Sequence, residues 1–264
     1  MAEGIVHLGL WQGLAAYAFI LLVLALARYA GIRRGKMIVL ASMRMTLQLV
    51  LVGYVLIYVF DNPAPIITLL ILGVMEVFAI FNIYKRTGIR QAPRLQKSLA
   101  IAMVSGTGLC MLYFLVAVLA ADPWYNPQYV VPLGGMIVGN SMTALALCAN
   151  RLLADLQAQR AMVEGALMLG ARPKKALAPL LRAAFDASLL PTINSMVGMG
   201  IVFLPGLMTG QILSGVSPLV AISYQIIMML SILASVALSV FIFLQLSVRA
   251  FFNENAQLSL EGEA

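Results

Sequence analysis

The chain has 264 residues, 62% of them hydrophobic and 10% charged, against roughly 45–50% apolar and 25% charged in an ordinary soluble domain. Seventeen Lys and Arg with ten Asp and Glu are too few to solvate a water-exposed surface of this size, so a soluble globular protein is excluded and the bilayer is the main solvent. The net charge of +7 then reads as cytoplasmic loops rich in Lys and Arg, not as a nucleic-acid surface, and no nucleic-acid partner is expected.

Residues 1 to 9 hold no Lys or Arg and carry Glu3, which does not fit the basic start of a cleavable signal, so the first apolar run is expected to stay. Apolar windows of about 20 residues place spans at 10–27, 37–59, 66–83, 98–121, 131–150, 188–208 and 218–247. The expected fold is an all-α polytopic membrane protein, a single permease domain over 1–264 with about seven transmembrane helices. Cys110 and Cys148 lie in apolar stretches and suggest neither a disulfide framework nor a paired-Cys metal motif.

The connections set the expected orientation. Arg28, Arg33, Arg34 and Lys36 lie between the first two spans; Lys85, Arg86, Arg90, Arg94 and Lys97 follow the third; Arg151, Arg160, Arg172, Lys174, Lys175 and Arg182 follow the fifth; Arg249 lies in the tail. With seven spans all of these fall on one side. The other side has Glu3, Asp61 and Asp122 but no Lys or Arg. The positive-inside rule therefore expects the N-terminus outside and the C-terminus in the cytoplasm. Trp11, Trp124, Tyr125 and Tyr129 stand where an outer aromatic belt is expected.

Among the connections, only 151–187 is long. Leu152, Leu153, Leu156, Ala161 and Met162, then Ala166, Leu167 and Leu169, then Leu177, Leu180 and Leu181 recur at helical spacing around Gly170 and Pro173. This pattern predicts two cytoplasmic amphipathic helices with a turn at 170–173. Two readings of the segment stand side by side: an interfacial helix on the anionic inner leaflet, or a docking surface for a cytoplasmic partner.

The stretch Glu164-Gly165-Ala166, with Gly170-Ala171 four residues on, is similar to the first half of the EAA signature of bacterial ABC-transporter permeases. In those proteins a coupling helix docks into the ATPase subunit. Residues 134–144 (Gly-Gly-Met-Ile-Val-Gly-Asn-Ser-Met-Thr-Ala), 190–196 (Leu-Pro-Thr-Ile-Asn-Ser-Met) and 204–215 (Leu-Pro-Gly-Leu-Met-Thr-Gly-Gln-Ile-Leu-Ser-Gly) resemble the FetB-type permease family. Its bacterial members act with a separate ATPase, FetA, in iron export, and plant relatives are linked to aluminium tolerance. The resemblance implies a multi-pass permease subunit of the bacterial inner membrane that exports iron or another metal ion. It also implies a permease homodimer, a FetA-like partner holding the ATP and Mg²⁺, no cofactor on this chain, and no enzyme activity of its own. It further implies that Glu164, Gly165, Ala166, Gly170, Ala171 and Arg172 couple the permease to the ATPase.

What the chain lacks agrees with that division of labour. The nearest look-alike of a phosphate loop, Gly31-Ile32-Arg33-Arg34-Gly35-Lys36-Met37, has the wrong glycine spacing and a Met where a hydroxyl must ligate Mg²⁺. The competing transport class is an ion-gradient-driven secondary transporter, which calls for inverted repeats; no repeat is evident. An intramembrane enzyme would need a nucleophile, base or metal motif, and none is found.

Within the spans, charge is costly by at least about 2.5–3.5 kcal/mol unless paired or wet. Arg44 and Glu76 are each expected about 10 Å in from the cytoplasmic side, either as a packing pair or, with Gln48 near Arg44, as part of a cation path. Asn140, Asn194, Met208 and Gln211 complete the candidate path. Met136, Met142, Met196 and Met199 lie near these polar groups and are either soft ligands or filler. The metal ligands themselves stay unassigned, and His7 reads as interfacial. Gly135-x-x-x-Gly139, Gly198, Gly200 and Gly206-x-x-x-Gly210 are expected as close-packing faces, and 204–217 as either a plain outer loop or a re-entrant gate.

Overall fold

A computed structural model of the chain describes residues 9–32, 34–88, 92–119 and 123–252. Glu3, His7, Arg33, Arg90 and Asp122 lie outside the described residues. The described residues form ten α-helices and no strand, and seven helical stretches among them are long and apolar enough to cross a bilayer, as the hydropathy pattern expects. The chain gathers into two compact units, one reaching to Pro63 and including Leu213–Gly215, the other comprising Ala64–Ile212 and the residues from Val216 on.

In the first unit, α1 (Leu10–Ala16) and α2 (Ala18–Tyr29) are separated by Tyr17 alone and lead to α3 (Gly35–Asp61). Gly31 turns the chain between α2 and α3 with φ +70°, and the Tyr17 hydroxyl meets the Thr46 hydroxyl on α3.

The second unit holds α4 (Pro65–Thr87), α5 (Pro93–Tyr113), α6 (Pro127–Ala158), α7 (Arg160–Met168), α8 (Pro173–Gly198), α9 (Gly206–Leu213) but for its last residue, and α10 (Pro218–Ala250). Each of α4, α5, α6, α8 and α10 starts on a proline, whose missing N–H is no loss in a first turn. A π-helical turn, Phe114–Leu119, extends α5. Thr68 Oγ1 donates to the Tyr125 carbonyl at 3.0 Å and Tyr84 Oη to the Gln96 carbonyl at 2.8 Å, tying one end of α4 to the connection before α6 and the other to the first turn of α5.

Helix α10 lies centrally, packed on α5, α6 and α8. Its inward stripe, Met228, Ile232, Val236, Val240 and Phe243, is buried, and two serines let neighbours come close. Ser235 Oγ lies 2.9 Å from Ser141 Oγ of α6. At Gly106 of α5 an added Cβ would sit 2.6 Å from Ser239 Cα, so the two backbones touch there, as small residues permit between apolar helices. At Gly139, Gly206 and Gly210 a Cβ would meet nothing within 4 Å. The close approach expected at those three positions is thus found elsewhere, because motif spacing does not say which face of a helix meets a neighbour.

The segment 151–187 differs from its expected form. Helix α6 runs on to Ala158 with Leu152 and Leu156 buried, and α8 is continuous from Pro173 to Gly198 with Ala176, Leu177, Leu180, Leu181 and Ala184 buried. The second amphipathic pattern is therefore the first half of a long bundle helix, its apolar face packed on protein. At the other end, the residues expected to complete a span at 188–208 leave the helix at Met199: Gly200 takes φ +83° and its N–H reaches the Phe203 carbonyl at 2.9 Å. The stretch 204–217 contains α9, with Met208 buried.

Candidate functional site

The corner between α7 and α8 is built locally. The N–H of Ala171 donates to the Ala166 carbonyl at 3.0 Å and that of Gly170 to the Leu167 carbonyl at 2.9 Å, with Gly170 at φ +83°. This is a Schellman ending, which needs a left-handed residue just past the helix. Arg172 then caps α8 in extended conformation and Pro173 opens it. Val163 is fully buried and Ala166 packs on the core, so α7 is fastened to the bundle. Glu164 Oε1 accepts from Arg160 Nε at 2.8 Å within the same helix. Met168 and Leu169 stand 87% and 91% exposed at the tip, with Gly170 and Arg172 exposed and Gly165 and Ala171 half-buried beside them.

Among the membrane-depth candidates, Arg44 and Gln48 are exposed residues of α3 in the first unit. Glu76 belongs to the second unit. It lies half-buried on α4, about 16 Å from the helix end at about 1.5 Å per residue, and deeper than expected, because α4 continues past the span to Thr87. Thr107 Oγ1 of α5 lies 2.9 Å from Glu76 Oε1 and 2.6 Å from the Met103 carbonyl. Around Glu76 is a recess of about 220 Å³ with largely apolar walls that include Leu72, Met111 and Ile137. Met208 is buried and Gln211 half-buried on α9, while Asn194 is exposed on α8.

A second cavity, about 240 Å³, lies between α6, α8 and α10, and Phe203 and Pro205 contribute to its wall. Asn140 is the one candidate path residue that lines it. It is joined there by Thr143, Ser188, Ser195, Met199 and Gln225, of which Gln225 was not anticipated. A glutamine inside the long apolar run of α10 was the available signal, since an amide at that depth needs a partner. Pro191 also lines the cavity; its missing N–H frees a helix carbonyl and favours a bend. Asn140 and Thr143 on α6 and Ser195 on α8 are exposed residues of its wall, and Asn194, next to Ser195, is exposed as well. Among the described residues no three His, Cys, Asp or Glu gather in a metal-binding group.

Helix number, length and apolarity define a multi-pass helical membrane protein. Residues 10–252 match the family model described as Uncharacterised protein family (UPF0014), and the chain belongs to that family. It is 37% identical over 89% of its length to a UPF0014 membrane protein of Synechocystis sp., covering 90% of that protein. It is 36% identical to the probable iron export permease protein FetB of Escherichia coli, over 81% of each chain. It is 33% identical to the protein ALUMINUM SENSITIVE 3 of Arabidopsis thaliana, over 95% of this chain and 90% of that one. No solved structure matches.

Proposed function

We propose that this chain is the membrane-spanning permease subunit of an ABC transporter of the bacterial inner membrane, exporting iron or another metal ion with ATP and Mg²⁺ bound on a separate FetA-like ATPase. The observation that carries the reading is the α7–α8 corner. A short helix pinned by Val163 presents two bare apolar side chains, Met168 and Leu169, at its tip. A helix lying on lipid would turn its apolar side away from the bundle; here Val163 and Ala166 face the protein core, and the large apolar side chains turned outward are Met162, 47% exposed, and the far more exposed Met168 and Leu169 at the tip. Such a tip suits a groove on a partner, and α8 runs directly from it into the bundle and past the α6–α8–α10 cavity. Movement of the corner would therefore be transmitted along a continuous helix.

The ends of the second unit support the orientation. Lys85, Arg86, Arg94, Arg151, Arg172, Lys174 and Arg249 gather where α4, α6 and α10 end and α5 and α8 begin. That end is the cytoplasmic one under the positive-inside rule, and it carries the α7 corner. The exposed polar residues Asn140, Thr143, Asn194 and Ser195 support a homodimer, because such groups are costly against lipid and are satisfied by a second copy or by a water-filled path between copies.

Co-expression with the FetA-type ATPase tests this. The ATPase is expected to co-purify with the wild-type chain, and Leu169→Glu is expected to cut its recovery at least about tenfold at unchanged membrane level. Ion-gradient-driven flux by this chain alone, with no ATPase bound, would replace the reading by a secondary transporter.

A further inference from the structure

Gln225 is 4% exposed, and its Nε2 donates to Met199 Sδ at 3.6 Å. Its Oε1 has no hydrogen-bond partner. A buried amide oxygen left without a donor costs about 1–3 kcal/mol. In native proteins such an atom needs an explanation, an absent ion among them.

Three of the hydroxyl groups in the cavity wall share one bias. Thr143 Oγ1 donates to the Gly139 carbonyl at 3.0 Å, Ser188 Oγ to the Ala184 carbonyl at 2.5 Å and Ser195 Oγ to the Pro191 carbonyl at 3.0 Å. These three hydroxyl protons are thus spent on their own helices, which leaves their oxygen lone pairs for the cavity; the buried Thr192 hydroxyl lines it as well. Asn140 Nδ2 spends one of its two N–H donors on the Met136 carbonyl at 2.8 Å. The thioethers of Met136, Met199 and Met229 line the same space and are electron-pair donors too. No charged side chain lines it. A lining weighted to lone pairs, without Lys or Arg, disfavours anions and attracts a cation.

We propose that this cavity between α6, α8 and α10 is a cation-binding site, in which Gln225 Oε1, the Ser and Thr hydroxyl oxygens and the Met199 thioether hold a borderline or soft metal cation without a carboxylate. It rests on the metal-export reading above for its place in a transport cycle. Neutral oxygens can replace a hydration shell while leaving the ion free to depart, as conduction and transport require. Thioether sulfur turns the preference from Mg²⁺ and Ca²⁺ toward softer ions. About 240 Å³ leaves room for an ion that keeps some of its water, each water taking about 30 Å³ in the liquid.

The test is equilibrium dialysis of the purified full-length chain in detergent, under anaerobic conditions, with Fe²⁺ alone and with Mg²⁺ alone. Wild type is expected to bind one Fe²⁺ per chain, with Mg²⁺ at least tenfold weaker. Gln225→Leu and Met199→Leu are expected to weaken Fe²⁺ about tenfold each, while Met45→Leu on α3 leaves it unchanged. Gln225→Glu, which adds a charge to the same position, is expected to tighten Fe²⁺ and to admit Mg²⁺; misfolding cannot produce that gain. Unchanged Fe²⁺ affinity in the Leu variants, equal Mg²⁺ affinity in wild type, or no Fe²⁺ bound by wild type would each overturn the site while ATPase co-purification still upholds the permease reading. Fe²⁺ binding with these shifts but no ATPase association would uphold the site and overturn the permease reading.

Discussion

Gly106 and Ser239 are a pair in which the crowding and the hydrogen bonding can be separated. Ser239 Oγ is buried without a partner, so its hydroxyl contributes little and Ser239→Ala is expected to leave stability unchanged or slightly raised. Gly106→Ala is different, because its Cβ would approach Ser239 Cα at 2.6 Å, and overpacking of this kind costs about 1–3 kcal/mol. The double variant Gly106→Ala with Ser239→Gly is expected to stay destabilised, since the obstructing atom is backbone. Thermal unfolding in detergent of the three variants checks this, and full rescue in the double variant would show that the side chain alone was the obstacle. Gly170 poses the opposite case: nothing lies within 4 Å of an added Cβ, but φ is +83°. Gly170→Val is therefore expected to cost about 1–2 kcal/mol through backbone strain, and Gly170→Asn appreciably less, measured by the same unfolding assay.

At the scale of the helix, α7 is held by a short apolar contact and its tip is free. Replacing buried Val163 with Asp is expected to release α7 from the bundle and reduce recovery of the whole protein, whereas Met168→Glu leaves expression and thermal stability at wild-type levels. Quantitative blotting and unfolding of the two variants separate the fastening from the tip. These elements also show what could be read in advance. The spans through α2, α3, α4 and α5 were legible because long apolar windows with charged ends leave little choice in a bilayer. The boundaries of α8 were not. Lys174, Lys175, Arg182 and Asp186 sit on its outer face and depress hydropathy over a helix whose other face is buried, so the apparent span begins late. Gly198 and Gly200 carry no polarity signal, so the apolar run in the sequence continues to 208 although the chain turns at Met199. Asn140 was legible as an intramembrane amide. Its partnership with Gln225, 85 residues on, was not, because no periodicity within one helix reports which helices will meet.

For the molecule as a whole, the charge asymmetry and the fold make a joint demand that neither makes alone. The basic residues lie in connections that seven crossings put on one side, and in the second unit the helix ends place them together around α7. If that end is cytoplasmic, the Phe203–Pro205 part of the cavity wall lies toward the outside, because α8 runs from the basic corner at Pro173 to Gly198 beside it. The demand can be met or refused by labelling. Single cysteines at Asn62 and Asn126, in a background lacking Cys110 and Cys148, are expected to react with an impermeant maleimide added to intact cells. Cysteines at Gln157 and Leu169 are expected to react only after the membrane is opened, and Leu169 is expected to be shielded again when the ATPase is co-expressed. Protection of Leu169 but not of Gln157 would place the partner on the α7 tip itself. Labelling of Leu169 in intact cells would put the corner on the outer side, where no ATP is available, and would remove the physical basis for nucleotide-driven coupling through α8.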